Sequence, residues 1–247
     1  MPRLLLLALF VAGCTTVAPV APPAATPAAA VPAAAVPAAA APRLEIQWTR
    51  TSAEHDAIFE QTYRLAGERL RAGLDTLRGT DWGVILDADE TVLDNSFYQR
   101  ERAAVGEGYS AETWAAWVER RDATALPGAV AFTDLVRDLG GRVVVVTNRS
   151  EAGCPATRET LAAAGIVAAA VLCQTGPSDK NPRFAAVEAG TAGLPPLRVA
   201  MWVGDNIRDF PALSQTARAG DFGGRFWALP NPMYGSWDRN PDPADAP

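Results

Sequence analysis

The chain has 247 residues, 49% of them hydrophobic and 20% charged, which is enough to bury a core in one or two domains. The net charge of −6 leaves no electrostatic footprint for a nucleic-acid partner, and the single histidine, His55, excludes active sites built on paired or clustered histidines. Because the protein is acidic, an anionic ligand would need a local cation or helix N-termini to offset repulsion.

Residues 1–13 have the features of an export signal. Arg3 supplies a positive charge, and the apolar stretch over residues 4–12 is too short to span a bilayer as a mature helix. The sequence Val-Ala-Gly-Cys at residues 11–14 resembles the lipobox of bacterial lipoproteins, which implies cleavage before Cys14 and lipid attachment to it. Thr15, rather than Asp, after the cysteine resembles lipoproteins sent to the outer membrane. The alternative is a plain secretory signal with an unrelated cysteine.

Residues 14–43 form a compositionally distinct segment, rich in Ala and Pro and with no charge before Arg43. Frequent proline forbids a continuous helix, so we expect an extended, semi-rigid tether that spaces a folded domain, residues 44–247, away from a membrane surface.

The domain is expected to begin with a helix. Residues 51–54, Thr-Ser-Ala-Glu, form a capping-box pattern. Apolar residues then recur at three- and four-residue steps, which indicates a core-facing stripe: Phe59, Tyr63, Ala66, Leu70, Leu74 and Leu77. His55 lies in the first turn without a partner cluster, so we interpret it as a surface or packing residue.

A short apolar run, residues 84–86, follows and ends in two carboxylates, Asp87 and Asp89, with Thr91 two positions further. Such a run without alternation predicts a strand buried on both faces, as in parallel sheets. In an extended chain, side chains at i and i+2 face the same side, so both carboxylates would face one site. Taken alone, the stretch is also compatible with a polar turn that carries N-capping acids.

Residues 95–126 interrupt the α/β pattern and are dense in aromatic residues. The aromatic residues are Phe97, Tyr98, Tyr109, Trp114 and Trp117. Ser110 is positioned to open a short helix that runs toward Arg121. We expect a small, mainly helical cap, inserted after the first core strand and placed to cover a site at the strand ends. Alternatively, the aromatic rings only pack the insertion onto the domain, the reading we favour for Trp117.

The remaining chain alternates helices and strands. Helices are expected from Pro127, over 155–164, over 184–189 and from Asp209, and strands over 143–146, 170–173, 198–203 and 226–229. This alternation predicts an α/β fold, a doubly wound parallel sheet. Ligands of such sheets bind beyond the carboxyl ends of the strands. Reactive side chains follow the predicted strands there: Asp87 and Asp89, then Thr147, Lys180 and Asp205.

Together these residues resemble the four motifs of the haloacid dehalogenase superfamily of phosphatases. The DxDxT motif stands at residues 87–91, the second motif ends in Thr147, the third is Lys180, and GDxxxD stands at residues 204–209. Dehalogenases of the superfamily lack the second aspartate, so Asp89 favours phosphate rather than halide chemistry. Each motif is weak alone, and the order of four, covering residues 82–210, is specific.

Residues 85–98 and 204–210 are similar to the signatures of class C bacterial acid phosphatases, the lipoprotein 5′-nucleotidase branch. Residues 229–237 and the lipobox are similar to that family as well. Ala88 stands where the family usually has Ile or Leu, and Ile207 where it usually has Leu. Both departures are apolar and leave the acidic positions unchanged.

The resemblance implies a membrane-anchored phosphomonoesterase with an aspartyl-phosphate intermediate. Asp87 would be the nucleophile, and Asp89 the general acid and then the general base. Thr147, its neighbour Asn148 and Lys180 would hold the phosphoryl oxygens.

The resemblance also implies a cofactor, Mg²⁺ or another divalent cation. Its ligands would be Asp87, Asp205 and the backbone carbonyl of Asp89. Asp209 would support these ligands from behind.

Trp114 and Tyr234 match positions that form an aromatic clamp in the class C family. A clamp would favour 5′-nucleotides and related ring-bearing phosphates over simple esters, since a base stacks between two rings. The alternative is that Trp114 packs the insertion and Tyr234 packs the C-terminal segment.

Two cysteines remain after Cys14. Cys154 follows the second predicted strand and Cys173 ends the third, so both a disulfide and two buried free thiols are compatible with the sequence. Neither has the Cys-x5-Arg spacing of cysteine phosphatases. A non-catalytic ligand-binding or haem-binding surface lipoprotein on the same fold is the competing function, although such relatives usually lose the nucleophile. The oligomeric state, a homodimer included, stays open.

Overall fold

The computed structural model describes residues 43–241. The helices are α1 (Leu44–Thr51), α2 (Ala53–Gly73), α3 (Ser96–Ala104), α4 (Ala111–Arg120), α5 (Ala129–Asp138), α6 (Cys154–Ala163) and α7 (Asn181–Ala189). The strands are β1 (Trp82–Leu86), β2 (Leu93–Asp94), β3 (Thr124–Ala125), β4 (Arg142–Ser150), β5 (Ala170–Gln174), β6 (Arg198–Gly204) and β7 (Phe226–Ala228). Among these helices, none combines the length and apolar character that a membrane crossing requires. The export signal, Cys14 and the tether lie outside the described residues.

Five strands form one parallel sheet in the order β5-β4-β1-β6-β7. The predicted doubly wound parallel sheet is therefore confirmed. Leu86, the last residue of β1, pairs with Val145 of β4 and with Val203 of β6. The chain segments that leave these three strands consequently begin at the same edge of the sheet.

Both faces of the sheet are covered, which explains why its strands are continuous apolar runs. In β1, Val84 and Leu86 face a core shared with α2, α5 and α6, whereas Ile85 faces a second core with α7 and Phe210. Most of the predicted stripe of the long helix is buried in the first core, and Leu74 is partly buried against it. The alternation of neighbouring side chains between the two cores fixes which way the strand ends project.

The start of the long helix differs by one residue from the prediction. Ser52, not Thr51, caps α2, because its side chain accepts a hydrogen bond from the His55 amide at 3.0 Å. Thr51 instead ends α1, a helix that the sequence pattern did not predict. His55 is 3% exposed and packs between Trp48 and Phe59, with ring centroids 5.3 and 4.5 Å away. It is a packing residue, as expected.

The expected insertion forms α3 and α4, and the short antiparallel ribbon β2–β3 closes its base. Ser110 caps α4 as predicted, accepting a hydrogen bond from the Thr113 amide at 3.1 Å. Trp117 is buried, in agreement with its expected packing role.

The helix expected from Asp209 is wrong. Only a 3-10 turn, Ile207–Asp209, is present, and Phe210 has an extended backbone with φ −113° and ψ 140°. The reason is Pro211, because a residue that precedes proline is disfavoured in the helical region.

Cys154, the first residue of α6, is disulfide-bonded to Cys173 of β5, with Cα atoms 5.9 Å apart. Of the two alternatives the sequence left open, the disulfide is therefore the one the structure shows. The bond ties the segment after β4 to the end of β5.

Candidate active site

Asp87 continues the line of β1 beyond its last residue. Its amide donates to the Val203 carbonyl of β6 at 3.0 Å, so the sheet ladder fixes the backbone at this position. The Lys180 ammonium donates to Asp87 Oδ1 at 2.6 Å. Asp87 Oδ2 accepts no hydrogen bond from the residues that the structure describes. One carboxylate oxygen is thus held, and the other is left for a ligand.

The chain turns tightly after Asp87. The Ala88 carbonyl accepts hydrogen bonds from the Val92 and Leu93 amides at 3.0 and 2.9 Å, and Glu90 has a left-handed backbone with φ 50°. A positive φ is costly for a residue with a Cβ, and such strain is characteristic of functional turns. The turn carries Asp89 to the same edge of the sheet as Asp87.

The end of β6 presents a second pair of carboxylates, Asp205 and Asp209. Gly204 is required here, since a Cβ on it would lie 2.3 Å from the Cβ of Asp209. Asp209 Oδ1 accepts from Lys180 at 2.6 Å, and Oδ2 accepts from the Asn206 amide at 2.8 Å. Both oxygens of Asp209 are therefore occupied.

Three carboxylates meet at this edge: Asp87, Asp205 and Asp209 have oxygens within 4.8 Å of one another. Burial, together with the charges of Asp209 and Asp89, raises the pKa of Asp87 to about 7, against the opposing effect of Lys180. Burial, together with the Asp209 and Asp87 charges, also raises the pKa of Asp205 well above its usual range.

Lys180 alone does not balance these three carboxylates. Burial would lower the pKa of the Lys180 ammonium, but the Asp209 and Asp87 carboxylates outweigh burial, and its pKa is raised. The lysine therefore stays charged, and one positive charge faces three acidic groups. A buried site of this kind, rich in hard oxygen donors, fits a divalent cation.

Two of the three expected metal ligands have their side chains in this carboxylate cluster. Asp87 and Asp205 belong to the carboxylate cluster, whereas the side chain of Asp89 does not. The expectation for Asp89 concerns its backbone carbonyl and stays a prediction. The occupied oxygens of Asp209 suit the supporting position expected for it.

Asp89 is held by a buried network that the sequence reasoning missed. Arg149, 2% exposed, donates to Asp89 Oδ1 from Nε at 2.9 Å, and its Nη2 lies 2.8 Å from the same oxygen in an ion pair. The side-chain amide of Asn95 donates to the same oxygen at 2.9 Å. Arg149 directly follows the residues of the second motif, and its place near a strand end was the available signal.

The predicted phosphate-binding residues differ in their surroundings. Thr147 is fully buried, and its hydroxyl accepts a hydrogen bond from the Arg149 amide at 3.1 Å. Asn148 is exposed to a cavity at this edge of the sheet, and its side-chain amide donates to the Ser178 carbonyl at 3.0 Å. Arg183, which the sequence reasoning assigned no role, donates to the Thr147 carbonyl and to Asn148 Oδ1, both at 2.5 Å.

A cavity of about 570 Å³ opens over these groups. It is lined by Asp87, Asp89, Lys180 and Asp205, by Trp114 from the insertion and by Tyr234 from the C-terminal segment. Both aromatic residues are half-buried. The cavity therefore brings the charged groups of the strand ends together with aromatic rings from two separate chain segments.

The C-terminal segment is tied directly to the acidic cluster. The side-chain amide of Asn231 donates to Asp205 Oδ2 at 2.9 Å, and Asn231 Oδ1 accepts from the backbone amide of Met233 at 3.0 Å. This asparagine positions the turn that carries Tyr234. No periodicity or spacing in the sequence indicated the contact, because it joins residues 26 positions apart.

Comparisons with known proteins agree with this geometry. The family model of the haloacid dehalogenase (HAD) superfamily, subfamily IIIB (acid phosphatase), matches residues 15–237. The structure of the class C acid phosphatase from Bacillus anthracis is similar, with 29% identity and a TM-score of 0.71 over 79% of this chain and 85% of that chain. A structure of a class C acid phosphatase from Bacillus anthracis with tungstate bound is similar at 28% identity and a TM-score of 0.70, with the same coverage.

Proposed function

The chain belongs to HAD subfamily IIIB, the acid phosphatases, and is a phosphomonoesterase; from this premise we propose that its substrates are nucleoside 5′-monophosphates, hydrolysed through a phosphorylated Asp87. The proposal of this substrate class rests on the cavity, because Trp114 and Tyr234 line the same cavity as Asp87 and Lys180. Two rings from separate segments offer a stacking site for a planar base, and stacking demands no particular hydrogen-bonding edge.

The first chemical step is phosphoryl transfer to the chain. Asp87 Oδ2 attacks phosphorus, the bond from phosphorus to the ribose 5′-oxygen breaks, and Asp89 gives its proton to that leaving oxygen. Lys180 holds Asp87 in line through its 2.6 Å contact with Oδ1. The nucleoside then departs, and Asp87 carries the phosphoryl group.

The second step returns the enzyme to its starting state. Asp89, now ionised, takes a proton from a water molecule, whose oxygen attacks phosphorus and displaces Asp87. A divalent cation held by Asp87 and Asp205, for which we propose Mg²⁺, would supply positive charge against the phosphoryl oxygens. Inorganic phosphate leaves and the proton on Asp89 is restored.

The substrate class is tested by Tyr234→Ala, assayed on a nucleoside 5′-monophosphate and on a small alkyl phosphate. Loss of one stacking partner is expected to raise KM for the nucleotide by about tenfold or more, with KM for the alkyl ester unchanged. The matched control is Trp237→Ala, an aromatic residue three positions along the same segment that is 44% exposed and does not line the cavity. An equal loss on both substrates, accompanied by a lower Tm, would mean that Tyr234 only packs the segment.

We also propose that the enzyme is anchored to the bacterial outer membrane through lipid on Cys14. The support is the lipobox at residues 11–14 and the proline-rich spacer that follows it. Cys14→Ser should release the active enzyme from the membrane fraction, because it removes the acceptor of the lipid. If the variant stays membrane-bound, another element attaches the protein.

A further inference from the structure

We propose that Arg149 and Asn95 are positioning residues for Asp89, which together hold one carboxylate oxygen so that the other is presented to the leaving group. This inference rests on the proposed role of Asp89 as general acid. It concerns a buried cluster of polar side chains next to the cavity.

All donors that the structure gives Asp89 reach the same oxygen. Oδ1 accepts hydrogen bonds from Arg149 Nε and Asn95 Nδ2, both at 2.9 Å, and Arg149 Nη2 forms an ion pair with the same oxygen at 2.8 Å. Oδ2 accepts no hydrogen bond from any residue between 43 and 241. Because Asp89 lines the cavity, the unoccupied oxygen is the one available to carry and deliver a proton.

Asn95 is locked in the orientation that this arrangement needs. Its Oδ1 accepts from Trp117 Nε1 at 2.8 Å and from Arg149 Nη2 at 3.1 Å. Indole and guanidinium nitrogens only donate, so the asparagine oxygen must face them and its NH₂ group must face Asp89. Asn95 is fully buried, and its backbone amide donates to Glu90 Oε1 at 2.9 Å.

Burial and its polar contacts fix the side chain of Arg149. Its side chain is 2% exposed, it leaves the end of β4 directly after the second motif, and its guanidinium lies 5.6 Å from the ring centroid of Trp114. A buried guanidinium requires a carboxylate partner, and a planar group with several donors fixes that partner in direction as well as in distance. Arg149 therefore sets the direction of the Asp89 carboxyl group.

A positioned acid matters most when the leaving group is a poor one. Cleavage of an alkyl ester needs the proton from Asp89, whereas a nitrophenolate leaves without it. Misplacing Asp89 should therefore slow alkyl esters selectively. A purely structural loss would lower the rate for both kinds of substrate alike.

The experiment measures kcat/KM for a nucleoside 5′-monophosphate and for p-nitrophenyl phosphate in the Mg²⁺-loaded enzyme. This parameter reports the step in which the ester bond breaks, since both substrates share the later hydrolysis. For Arg149→Met we expect a loss of about 10- to 100-fold on the nucleotide and a much smaller loss on the aryl ester. Arg149→Lys, which keeps the charge but not the planar fork, should fall between the parent and Arg149→Met.

Two further variants keep the test decisive. Trp117→Phe removes the indole donor to Asn95. It should lower the ratio of kcat/KM on the nucleotide to kcat/KM on the aryl ester, by a smaller factor than Arg149→Met. This variant provides the test if Arg149→Met does not fold. Arg137→Met, the matched control, removes an exposed arginine paired with Asp134 at 3.0 Å and should leave the ratio unchanged.

Asp89→Asn tests the acid role of Asp89 separately from the positioning role of Arg149 and Asn95. If Asp89→Asn slows the nucleotide selectively but the Arg149 and Trp117 variants slow both substrates equally, the positioning role is wrong and the acid role stands. If Asp89→Asn itself shows no selectivity, Asp89 is not the acid, and the inference falls with it.

Discussion

Two parts of the cavity lining, the charged residues and the aromatic residues, are held in place by different forces. At the strand ends, Asp87 and Asp209 share one buried ammonium, Lys180, through contacts of 2.6 Å. In the aromatic part of the lining, Trp114 and Tyr234 are half-buried. Trp114 lies on helix α4 and packs edge-on against Tyr98, whereas Tyr234 lies on the turn that Asn231 holds. Separating the buried charges of the first part would be costly, whereas the half-buried rings of the second part are held by weaker packing contacts.

The charged residues act on the phosphoryl group, whereas the aromatic residues contribute to the choice of substrate. Changes to Asp87 or Lys180 should affect every phosphomonoester, because each substrate presents the same phosphoryl group to Asp87. Changes to the aromatic residues should affect only substrates that carry a ring. Trp114 belongs partly to both regions, since its ring also covers Arg149 at 5.6 Å. Tyr234 is therefore the cleaner probe of ring recognition.

The largest effect is expected from Asp87→Asn, which should abolish turnover of nucleotide and aryl phosphate alike because an amide is not a competent nucleophile. Asp89→Asn should cost about two to four orders of magnitude in kcat on a nucleotide, the usual range for a lost general acid. Initial rates on the two substrates measure both effects. Activity near the parental level in Asp87→Asn would contradict the assignment of the nucleophile.

Lys180→Met should lower both activity and stability. Without the ammonium, Asp87 and Asp209 are buried without their partner, and the expected cost is about 3–5 kcal/mol in the free energy of unfolding. The rate should fall by about 10²- to 10³-fold on all esters, as for a lost electrostatic contact to the transferring group. Urea unfolding and initial rates measure the two losses. Selective loss on nucleotides would contradict the division between the two regions.

Metal removal should expose the repulsion within the carboxylate cluster. The folded-state pKa of Asp87, about 7, lies above its ordinary value of 3.8, so the proton it binds stabilises the metal-free fold below about pH 4, and that contribution is lost as pH rises through about 7. The raised pKa of Asp205 acts in the same direction. We expect the Tm of the metal-free protein to fall over this window and the gain on adding Mg²⁺ to grow.

Asp87→Asn is the control for this pH dependence, because it removes one titrating group while keeping the shape of the side chain. Its metal-free Tm should change less with pH than that of the parent. A parental Tm that is independent of pH, with no response to Mg²⁺, would show that the cluster holds no cation.

The smallest effect on catalysis is expected from breaking the disulfide. Cys154 and Cys173 are 19 positions apart and join the first residue of α6 to β5, and neither lines the cavity. Reduction, or the double change to serine, should lower the free energy of unfolding by about 3 kcal/mol, as for a loop of comparable length, with kcat/KM unchanged on both substrates. A selective loss of activity would place this bond among the elements that position the site.

The sequence was sufficient for the sheet and for the acidic residues at its edge, because strand ends and paired carboxylates are local features. It was insufficient for contacts between distant segments, such as Arg149 with Asp89 and Asn231 with Asp205, which only the folded chain brings together. It also misjudged the segment after Asp209, where Pro211 overrides a helix-start pattern.

The most direct test of the account is a search for the phosphorylated enzyme. Asp89→Asn, loaded with Mg²⁺, is mixed with p-nitrophenyl phosphate, quenched in acid within the first turnovers, and digested for mass spectrometry. The aryl group leaves without an acid, whereas the hydrolysis that needs Asp89 as base is slow, so the intermediate should accumulate. The account predicts one phosphoryl group on the peptide that carries Asp87. A phosphoryl group on another residue, or turnover with no covalent label at any quench time, would contradict it.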